Sequence, residues 1–180
     1  MRSMIYCVDL DRTFISQDST IELLKVAIKK SPKIVFQCAL SIYGREWREF
    51  KHSLATRENL NSVDWKIRPN IEKELKQVSK EGVQIYLVTA SQSEVAEYFY
   101  EKFSYFTGYI SSDRASTAKG ASKFKKMESM FRGLTYEYLG DSIHDVYIWK
   151  KLGKGKLPKQ KRILFLYLRL FHRNLDVRLI

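Results

Sequence analysis

Apolar residues fall into two rhythms along this chain. "MIYCV" is nearly continuous and β-rich, the pattern of a parallel strand buried on both faces, and it runs directly into Asp9 and Asp11. "VQIYLVTAS" repeats the pattern and ends in small hydroxyl residues, while "GYISSD" and "TYEYLGDS" read as two shorter strands. Elsewhere apolar positions recur at helical spacing. "TIELLKVAIKK" runs to Ser31-Pro32, with Ser19 expected as N-cap and Glu22 completing a capping box. "KIVFQCALSIY" stops at Gly44, "REWREFKHSLA" follows, and "PNIEKELKQVSKEG" is opened by Arg68-Pro69 and closed by Gly82. "SEVAEYFYEKF", "KGASKFKKMESMF" and "IHDVYIWKKL" complete the helical segments.

This order predicts an α/β fold: a Rossmann-like three-layer sandwich whose central parallel sheet is joined by right-handed crossovers. Residues 15–66 are surplus to the alternation and are expected to form a helical insertion above the first strand. The core is then 1–14 with 67–157, and 158–180 is a separate C-terminal segment. In such sheets ligands bind outside the carboxyl ends of the strands. Polar residues gather there: Asp9 and Asp11, then Thr89 and Ser91, then Gly140, Asp141 and Ser142.

With 44% hydrophobic and 29% charged residues in 180, the chain has an ordinary globular composition and enough length for one real core. Cys7 and Cys38, with no CxxC or His-rich neighbours, read as buried apolar residues in a reducing compartment. No signal peptide is read at the start and no apolar run is long enough to span a bilayer, so a cytoplasmic location is expected, with peripheral membrane association open. Of the net charge of +12, residues 150–180 carry +9: ten basic residues against Asp176. The basic character therefore belongs to the tail. Basic and aromatic residues are not interleaved as a base-reading face would require, so no specific nucleic-acid partner is expected.

The strand-end residues converge on a family. "DLDRT" after one buried strand, "LVTAS" after a second, Lys119 opening a helix and "LGDSIHD" after a third resemble, in order and spacing, the four motifs of haloacid dehalogenase-like (HAD) phosphatases over residues 5–151. "VDLDRTFISQDS", "LVTAS", "AKGASK" and "YLGDSIHDVYIW" look most like the HAD-type domains also found joined to membrane prenyltransferases. The insertion corresponds to that family's helical cap. The resemblance implies that Asp9 is the nucleophile and Asp11 the general acid and base. Thr89 and Lys119 would bind phosphate, with Lys123 as the alternative lysine. Asp9, Asp11 (through its backbone carbonyl) and Asp141 would hold Mg2+, a hard cation suited to oxygen ligands. Asp145, one helical turn beyond Asp141, would support Lys119 or a metal-bound water. The implied partner is a phosphorylated substrate, either a small metabolite or phosphotyrosine in a protein.

A Ca2+ loop is the chief rival for "DLDRT", but it needs a preceding helix, a third acid and a Gly, where this chain has a strand, Thr13 and Phe14. Arg12 departs from the family pattern, which has Gly there. If the position needs positive φ, Arg costs roughly 1–2 kcal/mol; otherwise its guanidinium reaches substrate or rests in solvent. On the cap, Trp47, Arg48, Lys51 and His52 either grip an anionic substrate or form an ordinary amphipathic packing helix. In the tail, "KQKRILFLYLRLFHRNLDVRLI" is read as a helix with Arg162, Arg169, Arg173 and Asp176 along one stripe. It is either the last core element or an interfacial helix on an anionic membrane surface. The alternative to an enzyme is a non-catalytic HAD scaffold binding acidic lipid or a protein partner through that tail.

Overall fold

A computed structural model of the chain describes residues 4–44, 46–114 and 116–180. Six strands form one all-parallel sheet: β1 (Met4–Val8), β2 (Gln84–Gln92), β3 (Gly108–Ser112), β4 (Thr135–Leu139), β5 (Lys154–Leu157) and β6 (Asp176–Leu179), in the order β3-β2-β1-β4-β5-β6. The chain moves outward from β1 to β2 and β3, then returns to place β4 on the other side of β1. This reversal opens a crevice at the carboxyl ends of β1 and β4.

Alternation along β1 splits the core into two layers, because successive side chains of a strand face opposite ways. Tyr6 and Val8 join Ile85 and Leu87 against α5 (Pro69–Lys80) and α6 (Ser93–Lys102), through Ile71, Leu75, Val95 and Phe99. Ile5 and Cys7 join Val88, Tyr136 and Tyr138 against α7 (Ala121–Met130), α8 (Val146–Leu152) and α9 (Arg162–Phe171), through Met127, Trp149 and Leu168. Helix, sheet and helix make the three expected layers. Cys7 is fully buried, but Cys38 is only half-buried.

The insertion after β1 is helical: α1 (Ser19–Lys30), α2 (Ile34–Tyr43), α3 (Trp47–Leu54) and α4 (Arg57–Ser62). Its two ends meet in a single antiparallel bridge, Ile15 to Ile67, flanked by the Ser16 N–H on the Lys66 carbonyl (2.8 Å) and the Arg68 N–H on the Phe14 carbonyl (2.9 Å). The expected start of the third helix at Arg45, and residues 1–3 of the expected core, lie outside the described residues.

Two local expectations need correction. Asp18, not Ser19, caps α1: its carboxylate accepts from the Ile21 N–H, while the Ser19 N–H is taken by Asp11. In the tail, the helix ends at Phe171, so Asp176 is not on it. Asp176–Leu179 instead pairs with β5, and the C-terminal segment supplies a crossover helix and an edge strand to the sheet. Among the described residues, no helix is long and apolar enough to cross a membrane.

Candidate active site

β1 ends at Val8, and the chain then winds through one wide turn closed by i→i+5 hydrogen bonds: the Phe14 N–H to the Asp9 carbonyl (3.2 Å) and the Ile15 N–H to the Leu10 carbonyl (3.0 Å). The turn requires Arg12 at φ 57°, ψ 4°, the left-handed region that favours glycine. Arg68 holds the turn in place by donating to the Arg12 carbonyl (3.2 Å). Among the described residues the Arg12 guanidinium pairs with Asp18, at 3.3 Å in an exposed pair worth little. Arg12→Gly is therefore expected to raise stability by about 1 kcal/mol, which is ~2–4 °C in Tm for a chain of this size. Thermal unfolding followed by circular dichroism checks this; a lower Tm would mean that the side chain's contacts outweigh the strain.

Asp9 is 6% exposed at the mouth of the crevice. Lys123 donates to its Oδ1 at 2.7 Å and Thr13 to its Oδ2 at 3.2 Å. Burial raises the Asp9 pKa, Lys123 opposes the rise, and the charges of Asp145 and Asp141 add to it. Lys123 is itself buried. It also donates to the Tyr138 hydroxyl (2.7 Å) and lies 3.8 Å from Asp145 Oδ1. Burial works against its charge, but Asp9 and Asp145 outweigh that and leave its pKa raised. Tyr138 passes the network on, donating to Asp145 Oδ1 at 2.8 Å.

Asp145 shapes the loop after β4. Its Oδ2 accepts from the Asp141 N–H (3.1 Å), the Ser142 N–H (3.0 Å) and the Ser142 hydroxyl (2.9 Å). Gly140 fits this loop because it lacks a side chain: a Cβ there would stand 2.7 Å from both the Asp145 carboxylate and the Tyr138 ring. Asp141 lines the same cleft as Asp9, and burial raises its pKa. Lys161, from the segment between β5 and α9, meets Asp141 Oδ2 at 2.6 Å.

Asp11 points elsewhere. Its carboxylate accepts from the Ser19 N–H at the start of α1 (2.6 Å) and from the Ser91 hydroxyl at the end of β2, and burial raises its pKa against those bonds. Ser19 and Ser91 also bond each other, at 2.8 Å. Asp9, Asp11, Arg12, Lys119, Lys123 and Asp141 line one cleft of about 200 Å³.

The structure thus brings Asp9, Asp11, Asp141 and Asp145 to one place, but it separates the two lysines. The helix α7 starts at Ala121 after Gly120 at φ 53°, so Lys123 lies one turn in and points at β1, while Lys119 is left exposed at the rim. The fixed charge against Asp9 is Lys123, the alternative lysine. Thr89 is buried with its Oγ1 accepting from the Ser91 N–H (3.0 Å); the cleft touches its neighbour Ala90. Three of the four polar cap residues pack. Trp47 stacks on Phe50, Arg48 donates to the Arg114 carbonyl (3.0 Å), and His52 pairs with Glu94 on the core (2.9 Å). Thr13, Tyr138 and Lys161 belong to the site but escaped sequence reasoning, and Ser91, expected among the strand-end polar residues, is found on Asp11. Among the described residues, no three His, Cys, Asp or Glu side chains stand together as a metal centre. All three carboxylates are already engaged, Asp9 by Lys123 and Thr13, Asp141 by Lys161 and Asp11 by Ser19 and Ser91; the candidate donors to a cation are the Asp9 and Asp141 carboxylates and the Asp11 carbonyl.

No protein-family model matches the chain, and no curated protein matches it. Solved structures do match. A protein of unknown function from Bordetella pertussis Tohama I superimposes with a TM-score of 0.74 at 13% identity, over 99% of both chains. A HAD family hydrolase from Salmonella enterica serovar Typhi gives 0.69 at 13% identity, over 92% of this chain and 65% of its own. A phosphoserine phosphatase, solved as an analogue of its phospho-aspartyl intermediate, gives 0.62 at 13% identity, over 99% and 94%. At these identities the likeness is one of fold alone: the chain shares the architecture of these structures.

Proposed function

We propose that this chain is a Mg2+-dependent phosphomonoester hydrolase working through an aspartyl phosphate on Asp9. The observation that carries this reading is a buried carboxylate at the sheet's switch point, fixed by Lys123 and sharing one cleft with Asp11 and Asp141. Asp9 attacks phosphorus, the ester P–O bond breaks, and Asp11 gives its proton to the departing oxygen. Water then attacks the phosphoryl group, Asp11 takes the water's proton, and phosphate leaves with Asp9 restored. Burial raises the Asp11 pKa, which suits a group that must hold a proton first and accept one later. Thr89 is the phosphate-binding residue the motif resemblance assigns on β2, where its neighbour Ala90 lines the cleft, and Lys119 at the rim supplies charge to incoming substrate.

The donor set suits Mg2+, which is commonly held by one or two carboxylates plus water and substrate phosphate. Burial raises the pKa of both Asp9 and Asp141, so an added cation would stabilise their ionised forms. Mg2+ would supply charge neutralisation for the approach of one anion to another. Lys161 competes for the same Asp141 oxygen. Lys161→Met is accordingly expected to tighten Mg2+ binding several-fold in calorimetric titration of the substrate-free chain, because a like charge leaves the site. Weaker binding would mean that Lys161 positions Asp141 for the metal.

The substrate is a phosphate monoester of a small metabolite or of tyrosine. The cleft, smaller than the ~300–1,000 Å³ of drug-sized sites, favours the small one. Two observations support this class: the motif resemblance to HAD domains joined to prenyltransferases, and the phosphoserine phosphatase among the structural matches. The test is phosphate release from a panel of aryl, sugar, amino-acid, isoprenoid and phosphotyrosine-peptide esters, with and without Mg2+. Metal-dependent release from at least one ester is expected. Silence across the panel would favour the non-catalytic scaffold.

A further inference from the structure

The helix α9 is only half used by the fold. Leu168 is buried against the sheet, with Leu164 and Phe165 partly covered beside it. The opposite side is apolar and open: Ile163 is 86% exposed, Leu166 59%, Leu170 61% and Phe171 68%, with Tyr167 at their margin. These residues recur at i, i+3, i+4, i+7 and i+8, so they form one continuous stripe down the helix. Arg162 and Arg169, seven residues apart on the helix, line one edge of that stripe, and Arg173 follows just beyond the helix's end. All three are exposed, and among the described residues no acidic side chain pairs with them; the nearby Asp176 is held by Arg178.

We infer that this face of α9 docks on an anionic lipid bilayer, lying in the interface with the apolar stripe inward and the arginines at headgroup level. Two features select that occupant. The stripe is too short to span a bilayer but has the width and the cationic border of an interfacial helix. The border also selects against a second copy of the chain, since face-to-face contact would bring two rows of unpaired arginines together on molecules that each carry +12. A bilayer rich in acidic headgroups supplies the missing negative charge and covers the exposed leucines and phenylalanine at once.

Co-sedimentation of the 180-residue chain with vesicles tests this. At about 0.1 M salt, binding to phosphatidylcholine vesicles containing about 30% phosphatidylserine is expected to exceed binding to pure phosphatidylcholine by ~10-fold or more. Leu166→Glu with Leu170→Glu, and separately Arg162→Ser with Arg169→Ser and Arg173→Ser, should each lower that binding ~10-fold. All five side chains are exposed, and an unchanged melting curve confirms the fold; if the leucine variant misfolds, the arginine variant carries the test. Equal binding to both vesicle types overturns the inference. So does binding that survives loss of the leucines, which would reduce the effect to a polycation on a charged surface. A dimer in sedimentation velocity that the leucine variant dissolves would assign the face to a second copy instead.

Discussion

Asp9→Asn is expected to abolish phosphate release, lowering kcat by ~10,000-fold or more, as removal of a nucleophile does in other covalent hydrolases. Asparagine fills the same space, and its side-chain oxygen accepts from Lys123 or Thr13. What disappears is the anionic oxygen able to bond phosphorus. Stability should change far less than activity. Burial raises the Asp9 pKa, so the folded state favours the protonated form, and keeping the carboxylate ionised at neutral pH costs stability. The neutral amide removes that cost but also takes from buried Lys123 its nearest counter-charge, leaving Asp145 at 3.8 Å, so the two effects oppose and Tm should shift much less than in a variant that removes the lysine. Parallel measurement of phosphate release and Tm checks both halves. Residual turnover above about 1% would show that Asp9 is not the attacking group.

The second large effect belongs to Lys123. Lys123→Met should cost about 3–5 kcal/mol of stability, because it leaves Asp9 and Asp145 facing each other in a buried site without their cation. It should also lower kcat ~100–1,000-fold through loss of a preorganised charge at the phosphoryl site. Lys119→Met is the informative comparison. That side chain is exposed at the cleft's rim, so stability should stay within about 0.5 kcal/mol and the loss should fall mainly on KM. Denaturant unfolding with steady-state kinetics on both variants separates the roles. Equal, mild effects from the two would sink the assignment of the central charge to Lys123.

That pair also shows where the sequence stops being legible. Four residues separate Lys119 from Lys123, one turn of helix. Which of them faces β1 depends on where α7 begins, and that is set by the positive φ of Gly120, which composition does not reveal. Asp9 and Asp141 were readable because an acid ending a buried strand is costly unless it has a use. The last two strands were not. "KGKL" and "DVRL" alternate charged with apolar residues, and only Gly155, Leu157 and Val177 among them are buried, so they read as part of a basic tail. Lys161 carried no signal at all among 32 basic residues; only the crossover into α9 brings it to Asp141. Ser19 read as a cap because it precedes the helical rhythm, but Asp11 claims its N–H from the adjoining turn.

The narrow neck of the insertion has one more implication. Both chain passages into and out of 16–66 run side by side through the Ile15–Ile67 bridge, so the helices above are attached to the sheet at a single ribbon. Asp9, Lys123, Asp141 and Asp145 all lie on the sheet side of that ribbon. Evolution can therefore reshape α2 to α4 without disturbing those four side chains, and ester preference can drift with them, whereas α1 stays tied to the chemistry because its Ser19 N–H holds the Asp11 carboxylate.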